Sequence, residues 1–383
     1  MQRMPITFLM YDALGGGGVA RTVTNTANLL AEHRDVQVVS LLRRRGDQLG
    51  FPLDPRVSVD FLVDRRQGLG PVQRRLDRLP TRLALARGES AFSLRTDHLL
   101  AKRIRSLDPG VLVSTRPSLH LAATRWAPPG VHLVGQEHST FASRMANPRQ
   151  AALLSSVVPR LDAYVVLTRG DAESYRRWLP DMATRVEHIP NALPWPLPAE
   201  PSPLDAKVIV SAGRLTKQKG AGRLLQAFHA VARAHPDWQL HIYGRGPEQA
   251  ALERSIERRG LQSQVRLLGY DRDFQSVLQR ASMFVLASHS EGFSMVLIEA
   301  MSVGLPLVSF DCPQGPREIV ENEKNGFLVP DGDIHGFAVA MRTLIENVDL
   351  RRRCGERGRE RAQAYTQDVN VEEWLALFDR FDT

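Results

Sequence analysis

EGFSMVLIEAM, Glu291 to Met301, carries two glutamates eight positions apart, Glu291 at a turn-like Glu-Gly-Phe and Glu299 inside an apolar run at helical spacing. It follows MFVLAS (283–288), a short apolar run that reads as a strand. Upstream, GRLTKQKG, Gly213 to Gly220, stands in the same relation to VIVSAG (208–213). Strand, polar turn and helix, repeated in this order, is the pattern of a parallel sheet covered by helices.

The pattern extends over most of the chain. In the first half, strand-like runs are ITFLM (6–10), VQVVSLL (36–42), VSVDFLV (57–63), GVLVS (110–114), VHLVG (131–135) and AYVVLT (163–168). In the second half QLHIYG (239–244), VRLLG (265–269) and PLVSF (306–310) join the two above. Helical stripes such as Leu224, Leu225, Phe228 and Val231 lie between them and read as core. PNALPWPLPAEPSPLD, Pro190 to Asp205, lacks backbone donors and reads as a semi-rigid linker. The expected organisation is an α/β domain over 1–192, a linker over 193–206, a second α/β domain over 207–365, and a tail over 366–383. Trp374, Leu377, Phe378 and Phe381 give the tail one apolar face, expected to pack back on the first domain. Two such halves on a stiff connector suggest a cleft between them.

A chain of 383 residues is long enough for two such cores. No apolar run approaches the roughly 18–20 residues of a membrane span. The start, MQRMPITFLMYDALGGGG, reads as a first strand and loop rather than a secretory signal. Cys312 and Cys354 form no framework or metal-ligand spacing, which fits a reducing cytoplasm. The net charge is +8, and Arg65 to Arg105 alone, with ten arginines and one lysine against Asp77, Glu89 and Asp97, supplies that whole excess. A concentrated positive segment attracts polyanions or an anionic membrane leaflet, or else is a solvated helical face. The expected location is cytoplasmic, at the inner face of the plasma membrane if that segment meets lipid. No nucleic-acid partner is expected.

The chemistry-bearing residues cluster at the strand-to-helix junctions. In GRLTKQKG, Arg214 offers a fork for phosphate oxygens, Lys219 a compact charge, and the following helix its open N-terminal amides. Gly220 lets the chain turn close to a ligand. If a helix starts near Ser294, the amides of Phe293, Ser294 and Met295 also face outward, suited to a phosphate. Glu299 then accepts from ribose hydroxyls and Glu291 from hydroxyls of an attached sugar. Gly15 to Gly18, including Gly16 and Gly17, form a second phosphate-compatible junction. That loop also fits a loose dinucleotide pattern, and Leu42-Arg43-Arg44-Arg45 at the next strand end suits a 2′-phosphate, so NADP stays open on the loop alone. His138, after VHLVG, faces the usual ligand crevice and suits holding a sugar hydroxyl or moving a proton, with Glu137 a weaker candidate. Asp271-Arg272-Asp273 and Asp331-Gly332-Asp333 read as turns more readily than as Mg²⁺ or Mn²⁺ ligands.

At this point the chain strongly resembles the retaining glycosyltransferases of family 4, with the GT-B fold. The matching segments are the glycine loop, His138, IPNAL (189–193), GRLTKQKG, YGRGPEQ (243–249), LLGY (267–270), EGFSMVLIEAMSVGLPLVSFD (291–311), GPREIV (315–320) and NGFLVPDGD (325–333). The resemblance implies two Rossmann-like domains whose parallel sheets face across a cleft, the first binding the acceptor and the second a nucleotide sugar. It implies that Arg214 and Lys219 hold the donor diphosphate, Glu299 the ribose, Glu291 the sugar, and the amides of Phe293 to Met295 the distal phosphate. It further implies transfer with retention and no essential metal or other cofactor. Arg245, where the family commonly has an acid, and the plain run of glycines depart from the pattern.

The expected activity is therefore transfer of a hexose-type sugar from a nucleoside-diphosphate sugar, with uridine as the base the family resemblance points to, to a glycan, lipid-linked or wall-polymer hydroxyl. Competing readings are a nucleotide-sugar epimerase or hydrolase on the same scaffold, glycosylation of a diffusible natural product, an NADP-dependent reductase, and a non-catalytic carbohydrate-binding protein.

Overall fold

The computed structural model describes residues 3–43, 51–66, 68–83 and 92–382. The chain forms two units, Met1–Ala192 together with Gln367–Thr383, and Leu193–Thr366.

The first unit is built on a seven-stranded parallel sheet: β1 (Ile6–Asp12), β2 (Val36–Arg43), β3 (Ser58–Asp64), β4 (Gly110–Ser114), β5 (Val131–Gln136), β6 (Ala163–Val166) and β7 (Val186–His188). Their order is β3-β2-β1-β4-β5-β6-β7. Alternation explains why these strands are apolar on both sides. Phe8, Met10, Val38, Val111 and Val113 join one buried cluster with Ala20, Val23 and Ala27 of the helix Gly18–Leu30. Leu9, Val39, Leu41 and Leu112 join another with Leu100 and Ile104 of the helix Leu94–Arg105. The helix Gln367–Phe378 belongs to this unit, and Trp374, Leu377 and Phe378 enter the first of those clusters.

The second unit has a six-stranded parallel sheet: β8 (Val208–Ala212), β9 (Gln239–Tyr243), β10 (Val265–Gly269), β11 (Met283–Leu286), β12 (Leu307–Asp311) and β13 (Gly326–Pro330), in the order β10-β9-β8-β11-β12-β13. From Leu193 onward the proline-rich stretch belongs to this unit. Its carbonyls remain available where its amides are missing, and Arg359 donates to those of Pro198 and Ala199. Ser202 donates to the Ala281 carbonyl, and Trp195 Nε1 to Ser302 Oγ at 3.1 Å.

Both units are α/β with doubly wound parallel sheets, as the strand and helix pattern requires. Two strands escape that pattern. β7 contains one apolar residue and is defined by its pairing with β6. β13 ends in a proline, which an edge position tolerates.

Candidate functional site

When the strand order of an open parallel sheet reverses, the loops leaving the two strands beside the reversal diverge and leave a crevice at their carboxyl ends. In the second unit the reversal lies between β8 and β11. Gly213–Gly220 follows β8, and Ala287–Glu291 follows β11. The two stretches singled out in the sequence thus leave neighbouring strands at the switch point.

They are also in direct contact. Lys217–Lys219 make one 3-10 turn, and Gly220, at φ +65°, redirects the chain into the helix Ala221–Ala232. A Cβ on Gly220 would lie 1.9 Å from the Ala287 carbonyl oxygen, so the loops meet backbone to backbone. The His289 amide donates to the Gln218 carbonyl at 2.8 Å. Gln218 Nε2 donates to the Ser290 carbonyl and hydroxyl. Lys219 Nζ donates to both oxygens of Glu291, at 2.6 and 2.8 Å, and Ser288 Oγ donates to one of them. Glu291 is buried, whereas Arg214 is exposed and its guanidinium makes no hydrogen bond or ion pair with a described residue.

Ser294 has φ +70° and ψ 64°, a left-handed conformation uncommon for a residue other than glycine. It precedes the helix Met295–Ser302 and does not cap it with its side chain, so the helix opens with uncapped amides. The neighbouring Phe293 is buried against the ring of Tyr365, centroids 5.7 Å apart, and against the backbone of Gly315, which has no room for a Cβ. Glu299 lies in the middle of this helix with no exposed surface. It is therefore not a solvated helical glutamate. A ribose contact there requires the carboxylate to gain access.

In the first unit, His138 follows β5. Its Nε2 is sealed from water, and burial pushes its pKa down to about 4, so the ring is neutral near pH 7. A neutral imidazole suits a hydroxyl-holding role better than proton donation. Glu137, 1% exposed, has a structural position. It accepts two bonds from Arg144, at 2.7 and 2.8 Å, one from Tyr164, and one each from the amides of His138 and Ser139. Burial pulls its pKa up, but the Arg144 charge and these bonds outweigh that and hold it below the usual range. The helix Gly18–Leu30 starts without a side-chain cap, and a Cβ on Gly16, Gly17 or Gly18 would meet nothing within 4 Å. Packing within the described residues therefore does not demand those glycines.

The two Asp-x-Asp turns do local work. Asp271 accepts from the Asp273 amide, Asp273 caps the helix Phe274–Gln279, and Asp333 caps the helix Ile334–Glu346. Asp331 pairs with Arg223 at 2.7 Å. Among the described residues no group of three or more His, Cys, Asp or Glu is arranged to hold a metal ion. Arg44, Arg45, Arg87 and Glu89 lie outside the described residues; Arg43, at the end of β2, stacks on Phe61 at 4.9 Å. Within the basic segment Arg66 pairs with Asp64, Arg95 with Asp77 and Arg103 with Asp60. Arg65, Arg74, Arg75, Arg78, Arg82, Lys102 and Arg105 are exposed and form no ion pair with a described residue.

Comparison with known proteins gives a consistent picture. The model of the family described as glycosyltransferase family 4 matches residues 16–194, and that of glycosyl transferases group 1 matches residues 198–361. The chain is 34% identical over 386 residues to an exopolysaccharide phosphotransferase, SCO2592, of Streptomyces coelicolor, a match covering 98% of this chain and 40% of that protein. It is 30% identical over 174 residues to the poly(ribitol-phosphate) alpha-N-acetylglucosaminyltransferase of Staphylococcus aureus, covering 45% of this chain and 35% of that one. The chain thus spans less than half the length of either relative. The crystal structure of the pneumococcal O-GlcNAc transferase GtfA in complex with UDP and GlcNAc superimposes with a TM-score of 0.78 at 15% identity, covering 100% of this chain and 99% of that one. That likeness establishes the GT-B type of fold.

Proposed function

The chain belongs to glycosyltransferase family 4, and on that premise we propose that it moves a hexose-type sugar from a nucleoside-diphosphate sugar to a hydroxyl of an exopolysaccharide or wall polymer, with retention at the anomeric carbon. The observation that carries this reading is the Lys219–Glu291 pair at the switch point of the second unit. A cation for a diphosphate and a carboxylate for sugar hydroxyls stand there in contact, beside the exposed Arg214 and the uncapped helix at Met295.

In the reaction proposed, Lys219 and Arg214 offset the charge that builds on the departing diphosphate. The acceptor oxygen bonds to the anomeric carbon on the face the diphosphate leaves. The bond from that carbon to the phosphate oxygen breaks, and the acceptor proton passes to the leaving phosphate. Glu291 orients the sugar, Glu299 the ribose, and His138 a hydroxyl. No metal is needed for this charge balance. Uridine as the base has support in the UDP held by the GtfA structure. The names of the two relatives concern an exopolysaccharide and a polyol-phosphate polymer, which supports an envelope-polymer acceptor.

We further propose peripheral contact with an anionic membrane through the helix Pro71–Arg78. It has no buried residue; Val72 and Leu76 lie one turn apart, Leu79 follows its last residue, and Arg74, Arg75 and Arg78 flank them. An apolar stripe edged with arginine suits a lipid interface. No helix of the described residues is long and apolar enough to cross a membrane.

Thermal stabilisation by a panel of nucleotide sugars tests the donor, since a ligand bound by the native state raises the melting temperature by mass action. Donor consumption with and without envelope polymer separates transfer from hydrolysis. Sedimentation with anionic and neutral vesicles tests the membrane contact; equal, negligible binding to both rejects it.

A further inference from the structure

One buried cation of the second unit lies outside the donor contacts proposed above. Arg223, in the first turn of the helix Ala221–Ala232, is 9% exposed. Its Nε donates to the Ala287 carbonyl at 2.5 Å and its Nη2 to the Ser288 carbonyl. Its Nη1 donates to Asp331 at 2.7 Å, and its guanidinium carbon sits 4.0 Å from the centre of the Phe310 ring. One side chain thus spans from the helix after β8, past the end of β11 and over β12, to the turn after β13.

The two carbonyls lie three and four residues before Glu291, in the same short loop. Ser288, whose carbonyl Arg223 holds, also donates its hydroxyl to Glu291. A planar guanidinium fixes direction as well as charge, so two of its arms set the course of the chain from Ala287 to Glu291. The third arm is held by Asp331, and the Phe310 ring closes off one face. The bond from the His289 amide to the Gln218 carbonyl, and those from Gln218 Nε2 to Ser290, tie down the outer part of the loop. Arg223 also neutralises two carbonyl dipoles that would otherwise stand unpaired near the place proposed for a diphosphate.

We infer that Arg223, oriented by Asp331, is a positioning residue that sets Glu291 in place for the sugar of the nucleotide donor. The inference rests on the donor-site reading proposed above. It also gives the Asp331-Gly332-Asp333 turn a role, that of an anchor for a guanidinium. Arg223 touches no substrate atom in this scheme; its effect passes entirely through the Glu291 loop.

The test is a double-mutant cycle on the full chain. Binding of UDP-glucose and UDP-N-acetylglucosamine, with UDP as the sugar-free control, is measured for the wild type, Arg223→Lys, Asp331→Ala, Glu291→Gln and the two combinations with Glu291→Gln. Lysine keeps the charge but cannot fork across two carbonyls, and Asp331 is half-exposed, so its removal leaves the fold intact. The expected result is a loss of nucleotide-sugar affinity of about tenfold for Arg223→Lys and about threefold for Asp331→Ala, with UDP affinity nearly unchanged. Neither substitution then weakens binding further once Glu291 is glutamine. Additive losses in the Glu291→Gln background overturn the inference and leave the donor site standing. So does a lowered melting temperature with unchanged nucleotide-sugar affinity. Wild-type binding by Glu291→Gln removes the donor-site reading itself, and the inference falls with it.

Discussion

Lys219 Nζ lies 2.6 and 2.8 Å from the two carboxylate oxygens of Glu291, a residue 72 positions away in the chain. The two side chains satisfy each other directly. A bound nucleotide sugar gives each partner something new to hold, the diphosphate for one and sugar hydroxyls for the other. Lys219→Met should therefore lower turnover by about 10²–10³, the range for a lost electrostatic stabiliser. It should also lower stability by about 1–3 kcal/mol, because the buried Glu291 loses its counter-charge while Lys219 itself is partly exposed. Adding Glu291→Gln should restore part of that stability and none of the turnover. Urea unfolding and donor-saturated kinetics on the three variants check this; near-wild-type turnover for Lys219→Met rejects the assignment.

Two glycines two positions apart should respond oppositely to alanine. Gly220 combines φ +65° with a carbonyl 1.9 Å from any added Cβ. Gly220→Ala should cost about 3 kcal/mol, since the loops after β8 and β11 must separate, and turnover should fall with it. Gly222 lies exposed inside the helix Ala221–Ala232, and an added methyl group there would meet nothing within 4 Å. Gly222→Ala should stabilise by about 0.5–1 kcal/mol through helix propensity and leave turnover unchanged. Thermal melts in parallel with donor binding distinguish the two; equal effects would mean that backbone contact between the loops is unimportant.

These two sites also mark what a sequence makes legible. A glycine at a turn, alternating apolar residues, and cations before a helix are local signals, and the strands, the switch-point loops and the tail's apolar face follow from them. The partners of Arg223 are not local. Asp331 lies 108 positions away, and the contact exists because β13 lies two places from β11 in the sheet. No spacing in the sequence encodes that order. β7 and β13 are obscure for a related reason: an edge strand is specified by its neighbour as much as by its own residues. Glu299 shows the reverse difficulty. Its helical setting is readable, but its complete burial depends on what packs around the helix.

The histidines of the first unit predict an acid-labile fold. Burial pushes His138 down to about 4 and His120 to about 3, from an ordinary value of 6.5. Above pH 6.5 both folded and unfolded chains hold these rings neutral, and they contribute no pH dependence. As pH falls below 6.5 the unfolded chain takes up protons that the folded chain refuses, so stability falls until the folded pKa is reached. The Glu137 contribution, from a pKa held below 4.5, is lost only at still lower pH. Between pH 6.5 and 4.5 the histidines should therefore dominate the local slope. His138→Gln should remove on the order of 2 kcal/mol of this acid destabilisation. Urea midpoints across that window check it; an unchanged slope would show that His138 titrates freely.

The tail is held by more than its apolar face. Arg34, with a fully buried side chain, donates to Asp379 at 2.5 Å and to Asp382 at 2.6 and 2.9 Å, and reaches the Met4 carbonyl at 3.3 Å. Asp382 also accepts from the Met4 amide, so the residues after the last helix, the segment leading into β1 and the segment after the helix Gly18–Leu30 meet at one guanidinium. Arg34→Met strands Asp382, whose side chain is 4% exposed, without its counter-charge. The expected loss is about 3 kcal/mol, typical of breaking a buried pair from one side. Because the pair is sealed from solvent, the loss should change little between low and physiological salt. Arg56, exposed beside Asp54 and Glu32, supplies the contrast: Arg56→Met should change stability far less than Arg34→Met, and less still as salt rises. Hydrogen exchange should show the helix Gln367–Phe378 losing protection in Arg34→Met before the strands do, because its attachment comes from a different part of the chain and depends on this corner and on the Trp374 face. Uniform loss of protection across the first unit would instead make Arg34 a general core residue rather than the anchor of the tail.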